Sequence, residues 1–502
     1  MLAIERIDDL GLLKQVALLL AKENENLHAR ISELLRQKAA TQGGDAQAEL
    51  ALELAKLQER VNFLQRKVFG TSTEQRSSDA QDEPVPARGK QRGHGPRQQK
   101  LPVQAVPHDI PADGRQCPAC DGVLDEWKDQ FEESEEISVV QRQFVILKHQ
   151  RKKYRCKCNG AVVTAPGPDK LIPGGHYSVE FAVEVASAKY LDHMPLERQV
   201  RIMQREGLIV DSHTLWDQTN AVARHLSPTY REIKRSILAS PFFHADETWW
   251  RLMEERRSKR WWSWCLATPE AVYHSIVPSR TAEAARVLFE GYQGTVLTDG
   301  YASYQSLARA GPGFTLVHCW AHVRREFFEI EKNYPAEIKI ILDLIGELYA
   351  TERLVPARTV EGGPSPAEGL AIRGRLRAER SRPLVGRIRE WAYGIKATPE
   401  STLRKAVNYM LGLWPGLVKF LDDPLIPLDN NLVERALRPM VVGRKNHYGS
   451  RSKRGTEVAA LFYSLIETAK VCGVEPRAYL LEATRRAIQS PGSAFLPKDL
   501  AG

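Results

Sequence analysis

Two kinds of residue in this chain stand where they could do chemistry: carboxylates inside apolar stretches, and cysteines in close pairs. Asp246 and Glu247 lie in the middle of "SPFFHADETWWRL" (240–252), where Phe242, Phe243, Trp249 and Trp250 mark a strand. Carboxylates are costly to bury unless they are paired or bound to a metal. A second acid, Asp299, ends the short apolar strand of "GTVLTDGYASY", just before Gly300. A third, Glu434, follows in "IPLDNNLVERALRPM", where Asp429 after Pro427 reads as a helix N-cap. Two acids at or near strand ends and one on a later helix can together hold two Mg²⁺ ions. Such a pair activates the attacking oxygen and stabilises the leaving one in phosphodiester chemistry. Taken singly, each acid has a plainer reading. Asp299 can start a turn, Glu434 can pair with Arg438 one helical turn on, and Asp246 can pair with a neighbouring base. Alternation along the strand does not choose between Asp246 and Glu247, because both of its faces carry aromatics.

The cysteines form C-x2-C at Cys117 and Cys120 and C-x-C at Cys156 and Cys158. Two close pairs on turns separated by strands can close a tetrahedral thiolate site for zinc, and four thiolates leave no open position for catalysis. Gly and Pro turns flank the pairs with no thioredoxin-like context, which favours a structural ribbon over a redox pair. The second pair is tighter than the usual spacing, which leaves open whether Cys156 and Cys158 complete the site. The chain holds seven cysteines, the other three scattered, which suits a reducing cytoplasm rather than a disulfide framework.

The elements that must position these groups are legible from periodicity. Apolar patterning predicts strands over 242–250, 260–267, 271–277, 294–298 and 314–319, with helices over 281–290 and 320–332. Residues 336–420 read as mostly helical with an Arg-rich loop, and a long helical pattern resumes at Asp429. Upstream, 178–235 has helical spacing, and "ERQVRIMQREGLIVDSHTLWDQ" has the outline of a helix-turn-helix, a DNA-reading hairpin or plain packing. Leu13, Leu20, Leu27 and Leu34 repeat every seven residues, with Leu10, Ala17, Asn24 and Ile31 at the second seam position. Leu at one seam and a lone Asn at the other suit a dimeric coiled coil. The polar, basic stretch from Thr71 to about Pro111 is a linker.

The 502 residues suggest several domains. Lys and Arg number 71 against 62 Asp and Glu, a formal charge of +9, and that mild excess points to nucleic acid only where the bases cluster. They do so beside the acids. Arg324 and Arg325 follow the strand ending at Cys319, and Arg438, Arg444 and Lys445 follow Glu434. Phosphate contact is the function expected of them. No apolar run approaches the length that spans a bilayer, and "MLAIERIDDLG" is too acidic for a secretory signal, so neither membrane partner nor export is expected.

Together, "HADET" (244–248), "TDGYASY" (298–304), "CWAHVRREFFE" (319–329) and "DNNLVERALRPMVVGRKN" (429–446) resemble the insertion sequence 66 family of bacterial transposases. "CPAC…YRCKC", "KYLDHMPLERQ" (189–199) and "LIETAKVCGVEPRAYL" (465–480) extend the resemblance over nearly the whole chain from about residue 50. It implies a multidomain α/β protein. Its parts would be a coiled coil (1–70), the linker (71–112), a zinc ribbon (113–168) and a helical DNA-binding region (169–239). An RNase H-like core (240–335 and 426–470), split by a helical insertion (336–425), and a C-terminal helical element (471–502) would follow. It implies a DDE transposase acting on element ends and target DNA, with Asp246, Asp299 and Glu434 as the triad. The expected cofactors are two Mg²⁺, with Mn²⁺ as a possible substitute, and a structural Zn²⁺. A homo-oligomer, accessory proteins of the same element and a bacterial cytoplasmic setting follow from the same likeness. A non-catalytic DNA-binding regulator, and a nuclease on the same scaffold that cuts without joining, are the competing readings. The segment "NHYGSRSKRG" (446–455) is more basic than the family pattern.

Overall fold

The computed structural model describes residues 142–155, 161–254, 257–310, 313–356 and 365–500, with isolated positions at 29, 33, 105, 108 and 109. The heptads, most of the 71–112 linker and all four paired cysteines lie outside the described residues. The chain divides into two compact units, Met1–Glu74 with Phe144–Gly502, and Gln75–Gln143. The architecture below is that of the first.

A short antiparallel hairpin opens it, β1 (Lys153–Arg155) against β2 (Val162–Thr164). Four helices follow: α1 (Val179–Tyr190), α2 (Leu196–Arg205), α3 (Ser212–His225) and α4 (Ser227–Leu238). The helix-turn-helix outline is present as α2, a turn at Gly207 with φ of +88°, and α3, whose N-cap Asp211 accepts from Thr214 N at 2.6 Å. Residues 218–223 of α3 are buried in the helical core, while its first turn, around His213, is exposed.

The chain then builds one five-stranded sheet from β3 (Phe242–Glu254), β4 (Arg257–Thr268), β5 (Ala271–Val277), β6 (Thr295–Thr298) and β7 (Thr315–His318). Their spatial order is β5-β4-β3-β6-β7. The β3–β4–β5 meander is antiparallel, and β6 and β7 add in parallel on the other side of β3. The parallel additions require crossovers. α5 (Ala282–Phe289) lies between β5 and β6, and α6 (Ala302–Ala310) between β6 and β7. The sequence patterning does not single out α6.

After β7 come α7 (Trp320–Glu329), α8 (Pro335–Arg353), α9 (Pro366–Leu376), a π turn (Arg377–Ser381), α10 (Arg382–Gly394) and α11 (Thr402–Leu417). The Arg-rich stretch expected as a loop is therefore helical. The π turn lies just before Pro383, whose ring and missing N–H cannot continue a regular helix. α12 (Asn431–His447), α13 (Lys453–Val471) and α14 (Pro476–Gln489) complete the unit.

Separate cores hold the layers. The sheet face that carries Trp264 and Leu266 joins a core with α1, α4, α13 and α14, around Phe462 and Leu480. α12 covers the opposite face, with Val433, Ala436 and Leu437 on Cys265, Ala267 and Val272. Leu297 and Val317 join Trp320, Ile341, Ile388 and Met410 in a core with the helices between β7 and α12. The exposed edge of β5 is capped by α13. Ser464 Oγ accepts from His274 N at 2.7 Å, and Thr468 Oγ1 bonds both Val272 N and Val272 O at 3.0 Å. These bonds satisfy edge groups that would otherwise recruit another strand.

The 446–455 segment turns rather than loops outward. Tyr448 is left-handed, and Gly449 has φ of +107° in a place where a Cβ would stand 2.1 Å from Arg251 O. That close approach lets Ser450 bridge the far end of β3, with Ser450 N to Arg251 O at 3.0 Å and Met253 N to Ser450 O at 2.8 Å.

Several buried imidazoles set an acid limit on this fold. Burial lowers His274 and His447 to about 3, and His244 and His318 to about 4. Above the unfolded value of roughly 6.5 these rings are neutral in both states and add no slope. As pH falls below it, the unfolded chain takes up protons that the folded one refuses. Stability is then lost by about 1.4 kcal/mol per pH unit per ring. Denaturant midpoints should fall between pH 6.5 and 5, ahead of most carboxylates, and His274→Leu should flatten that slope by one ring's share. A flat profile over this interval in the parent protein would refute the assignment.

Candidate active site

The sheet register brings two of the acids level. β3 and β6 pair in parallel with Phe243 opposite Val296 and His244 opposite Leu297. Two residues further along each strand stand Asp246 and Asp299. Both are partly exposed, at the end where β6 stops and the sheet opens. Glu434 reaches them from the first turn of α12. The three are near enough for their charges to act on one another. Burial, then Asp299, then Glu247 push the Asp246 carboxyl well above its ordinary value, and Glu434 adds to the same push.

Glu247 has a different environment. Its side chain is fully buried, bonded by Tyr304 OH and by Arg280 Nε at 2.6 Å. Arg280 in turn lies over the rings of Tyr301, at 3.7 Å, and Trp262, at 4.9 Å. Strand alternation alone leaves Asp246 and Glu247 as alternatives, and the family resemblance points to Asp246. Here Glu247 is ion-paired on the α6 side, while Asp246 stands beside Asp299 and Glu434.

Each acid is held by local chemistry. Asp246 Oδ1 accepts from Glu247 N at 2.7 Å, and Asp299 Oδ1 accepts from Tyr301 N at 2.9 Å. Gly300 is left-handed with φ of +95°, and a Cβ there would stand 2.8 Å from Leu413. Glycine thus lets α11 lie directly on the turn that carries Asp299, and Tyr409 of α11 donates to Asp299 O at 2.9 Å. α11 is thus part of the wall of the site.

Asn430, fully buried, joins the strand to the helix. Its amide Nδ2 donates to Ala245 O at 2.9 Å, its Oδ1 meets His244 Nδ1 at 3.0 Å, and its backbone N–H donates to Cys319 Sγ at 3.1 Å. Asn430, Tyr409 and Gly300 were not singled out from sequence. The doubled Asn of "DNN" and the Gly after Asp299 were the available signals, and neither carries a partner's identity in itself.

The bases divide. Arg325 Nη2 lies 3.7 Å from Glu434 Oε2, and Arg324 sits over Phe328 at 5.8 Å. Glu434, Arg438 and Lys445 fall on one stripe of α12 at i, i+4 and i+11, and both bases are exposed. Arg444 points the other way. It is 8% exposed, lies 3.7 Å over the Trp249 ring and bonds Thr248 Oγ1 at 3.2 Å and the Trp249 carbonyl. Its guanidinium is thus engaged within the fold. His318 is buried, with its ring packed against Gly416.

A mixed α/β scaffold with a carboxylate cluster at the open end of its sheet and a basic helical stripe leading from it suits an enzyme that processes nucleic acid. The family comparison makes this specific. Residues 174–458 match the transposase IS66 family, and residues 115–159 match the zinc-finger binding domain of that transposase. The chain belongs to the IS66 family of transposases.

The second match spans Cys117, Cys120, Cys156 and Cys158 and supports a structural zinc. Three proteins of Sinorhizobium fredii (strain NBRC 101917 / NGR234) are similar over most of their length. Uncharacterized protein y4jD is 29% identical over 401 residues, covering 76% of each chain. Uncharacterized protein y4hP is 28% identical over 71% of this chain and 68% of its own. Uncharacterized protein y4qI is 27% identical over 96% of this chain and 94% of its own. Among the described residues, no helix is long and apolar enough to cross a membrane.

Proposed function

We propose that the chain is a DDE transposase with an RNase H-like core, cutting DNA at the ends of its element and joining those ends to target DNA. The carrying observation is the register that sets Asp246 level with Asp299 on adjacent parallel strands, with Glu434 brought to them by α12. The strand order, with an antiparallel meander and two parallel additions, supports the RNase H-like assignment.

The donor set fits two divalent cations. Three acids lie within reach of one another's charge, Asp246 is held against its ionised form by burial and its acidic neighbours, and Glu434 Oε1 is buried without a hydrogen-bond partner. Such a cluster is relieved by hard cations. Asp246 would touch both ions, and Asp299 and Glu434 one each. Bound Mg²⁺ or Mn²⁺ supplies Lewis acidity at the attacking and leaving oxygens of the phosphodiester.

The chain's own groups do the rest. Tyr301 N and Tyr409 fix the Asp299 turn, and Asn430 fixes the start of the Glu434 helix against β3. Arg438 and Lys445 offer the DNA backbone a cationic track that leads to Glu434, and Arg324 and Arg325 offer charge from α7. Phosphate contacts of this kind position DNA without reading its sequence. Reading of the element's inverted repeats falls to the α2–α3 hairpin and the zinc-finger domain. The N-terminal heptads would pair two chains, and accessory proteins of the same element would assist. The setting is the bacterial cytoplasm, with the protein on the nucleoid when it is bound to DNA.

Strand transfer in vitro tests this reading. Purified protein with Mg²⁺ and DNA carrying the element's ends should give joined products, and Asp299→Ala should give none while still binding those ends. Cleavage without joining would identify a nuclease, and binding without either would identify a regulator.

A further inference from the structure

The helices that flank the carboxylates, α7 and α12, are joined at their first residues. Cys319 caps α7 and Asn430 caps α12, and Asn430 N donates to Cys319 Sγ at 3.1 Å. About one turn into each helix stands a side chain of metal-ligand type, His322 three residues after Cys319 and Glu434 four after Asn430. The join brings them face to face. His322 Nδ1 lies 3.6 Å from Glu434 Oε1. Cys319, His322 and Glu434 each offer a ligand atom, and these atoms lie within 4.8 Å of one another.

The two facing atoms are buried, and neither has a hydrogen-bond partner. Their separation is too long for a charge-assisted hydrogen bond, which closes to about 2.7–2.9 Å. It is close to what a shared ion produces. Two ligand atoms at about 2.0–2.2 Å from one metal, at tetrahedral to octahedral angles, stand roughly 3.0–3.5 Å apart. The other carboxylate oxygen of Glu434 faces Arg325 at 3.7 Å, which leaves Oε1 as the oxygen turned toward the imidazole. Cys319 is fully buried and its sulfur accepts the Asn430 N–H, so its part is to align the two helices.

We propose that His322 is a nitrogen ligand to the divalent ion that Glu434 holds. This rests on the three-carboxylate metal reading and refines it. One of the two ion positions is a mixed nitrogen–oxygen site, while the position between Asp246 and Asp299 has oxygen ligands alone. An imidazole suits transition ions better than Mg²⁺, which is hard and keeps to oxygen. The Glu434 position therefore favours Mn²⁺ over Mg²⁺.

Mn²⁺ bound to the full-length, tag-free protein with its zinc in place provides the test, read by pulsed electron paramagnetic resonance for coupling to ¹⁴N. The parent protein should show imidazole nitrogen coupled to Mn²⁺. His322→Gln should lose that coupling and bind Mn²⁺ more weakly by roughly tenfold or more, while retaining Mn²⁺ at the carboxylates. The parent spectrum decides the matter even if the variant folds poorly. Mn²⁺ that is bound but shows no nitrogen coupling overturns the His322 assignment and leaves the three-carboxylate reading intact. Coupling that survives in His322→Gln overturns it in favour of another ring. A parent protein that binds no Mn²⁺ beyond its zinc overturns both.

Discussion

Asp246→Asn is expected to melt higher than the parent protein in metal-free buffer and to have lost strand cleavage. The two effects share one cause. Burial, Asp299, Glu247 and Glu434 raise the Asp246 carboxyl well above its ordinary value, so the fold favours the protonated form. The sign follows from linkage. A raised folded value gives stability that is complete below the unfolded value near 4 and is lost as pH rises through the folded one. At neutral pH the ionised side chain therefore works against folding. Asparagine keeps the shape and removes the charge. The gain should be on the order of 1 kcal/mol, roughly 2–4 °C in a domain of 150–250 residues. Adding Mg²⁺ or Mn²⁺ should raise the melting temperature of the parent by mass action and leave the variant nearly unmoved. Cleavage should fall by about three orders of magnitude, the scale seen when a group that stabilises charge at a reacting centre is removed. Paired melting curves with and without metal check the first part, and a cleavage assay checks the second. A variant that melts lower than the parent, with an undiminished metal shift, would show that Asp246 is an ordinary structural acid.

What could be read in advance divides along a physical line. The strands around Asp246 and Asp299 were legible because each is a short apolar run bounded by turn residues, and pattern survives without knowledge of partners. The helical character of 178–235 and of the stretch after Asp429 was legible for the same reason. Strand pattern does not separate Asp246 from Glu247, for which the family resemblance was needed; the partners that surround Glu247, Arg280 and Tyr304, lie 33 and 57 positions downstream of it. Asn430 is the sharper case. Its three bonds reach Ala245 and His244, about 185 residues upstream, and Cys319, 111 upstream. No local pattern encodes such contacts. Bases beside an acid all looked alike in sequence, yet burial separates Arg444, stacked on Trp249, from exposed Arg438 and Lys445. The Arg-rich stretch misled for a related reason. Its Pro and Gly content suggests a loop, and the chain instead absorbs Pro383 with a single π turn.

That stretch also carries the largest expected effect on stability. Seven arginines lie between Arg373 and Arg389, a composition that suggests phosphate grip. Three of them bond the 420–424 segment. Arg373 Nη1 donates to Pro424 O at 3.2 Å, and Arg382 Nη2 bonds Asp422 Oδ1 at 3.1 Å. Arg377 is 1% exposed and makes the fullest set. It forms a two-pronged pair with Glu352 at 2.7 and 2.9 Å and donates Nη1 to the carbonyls of Phe420 at 2.7 Å and Asp423 at 3.1 Å. Removing one member of such a pair strands the other charge and orphans the carbonyls, at a cost of about 3–5 kcal/mol. Arg377→Met should therefore destabilise the α8–α11 helices by that amount. Hydrogen exchange would show lost protection in α8, α10 and α11, whose apolar core is distinct from that of the β5 side of the sheet. Because Tyr409 of α11 holds the Asp299 turn, metal affinity should weaken as well, although Arg377 touches none of the acids. The double variant Arg377→Met with Glu352→Leu should recover most of the stability, since a well-packed apolar pair often equals a buried ion pair. If Arg377→Met is as stable as the parent but binds DNA less tightly, the arginine belongs to the phosphate-contacting surface and the buried-pair assignment fails.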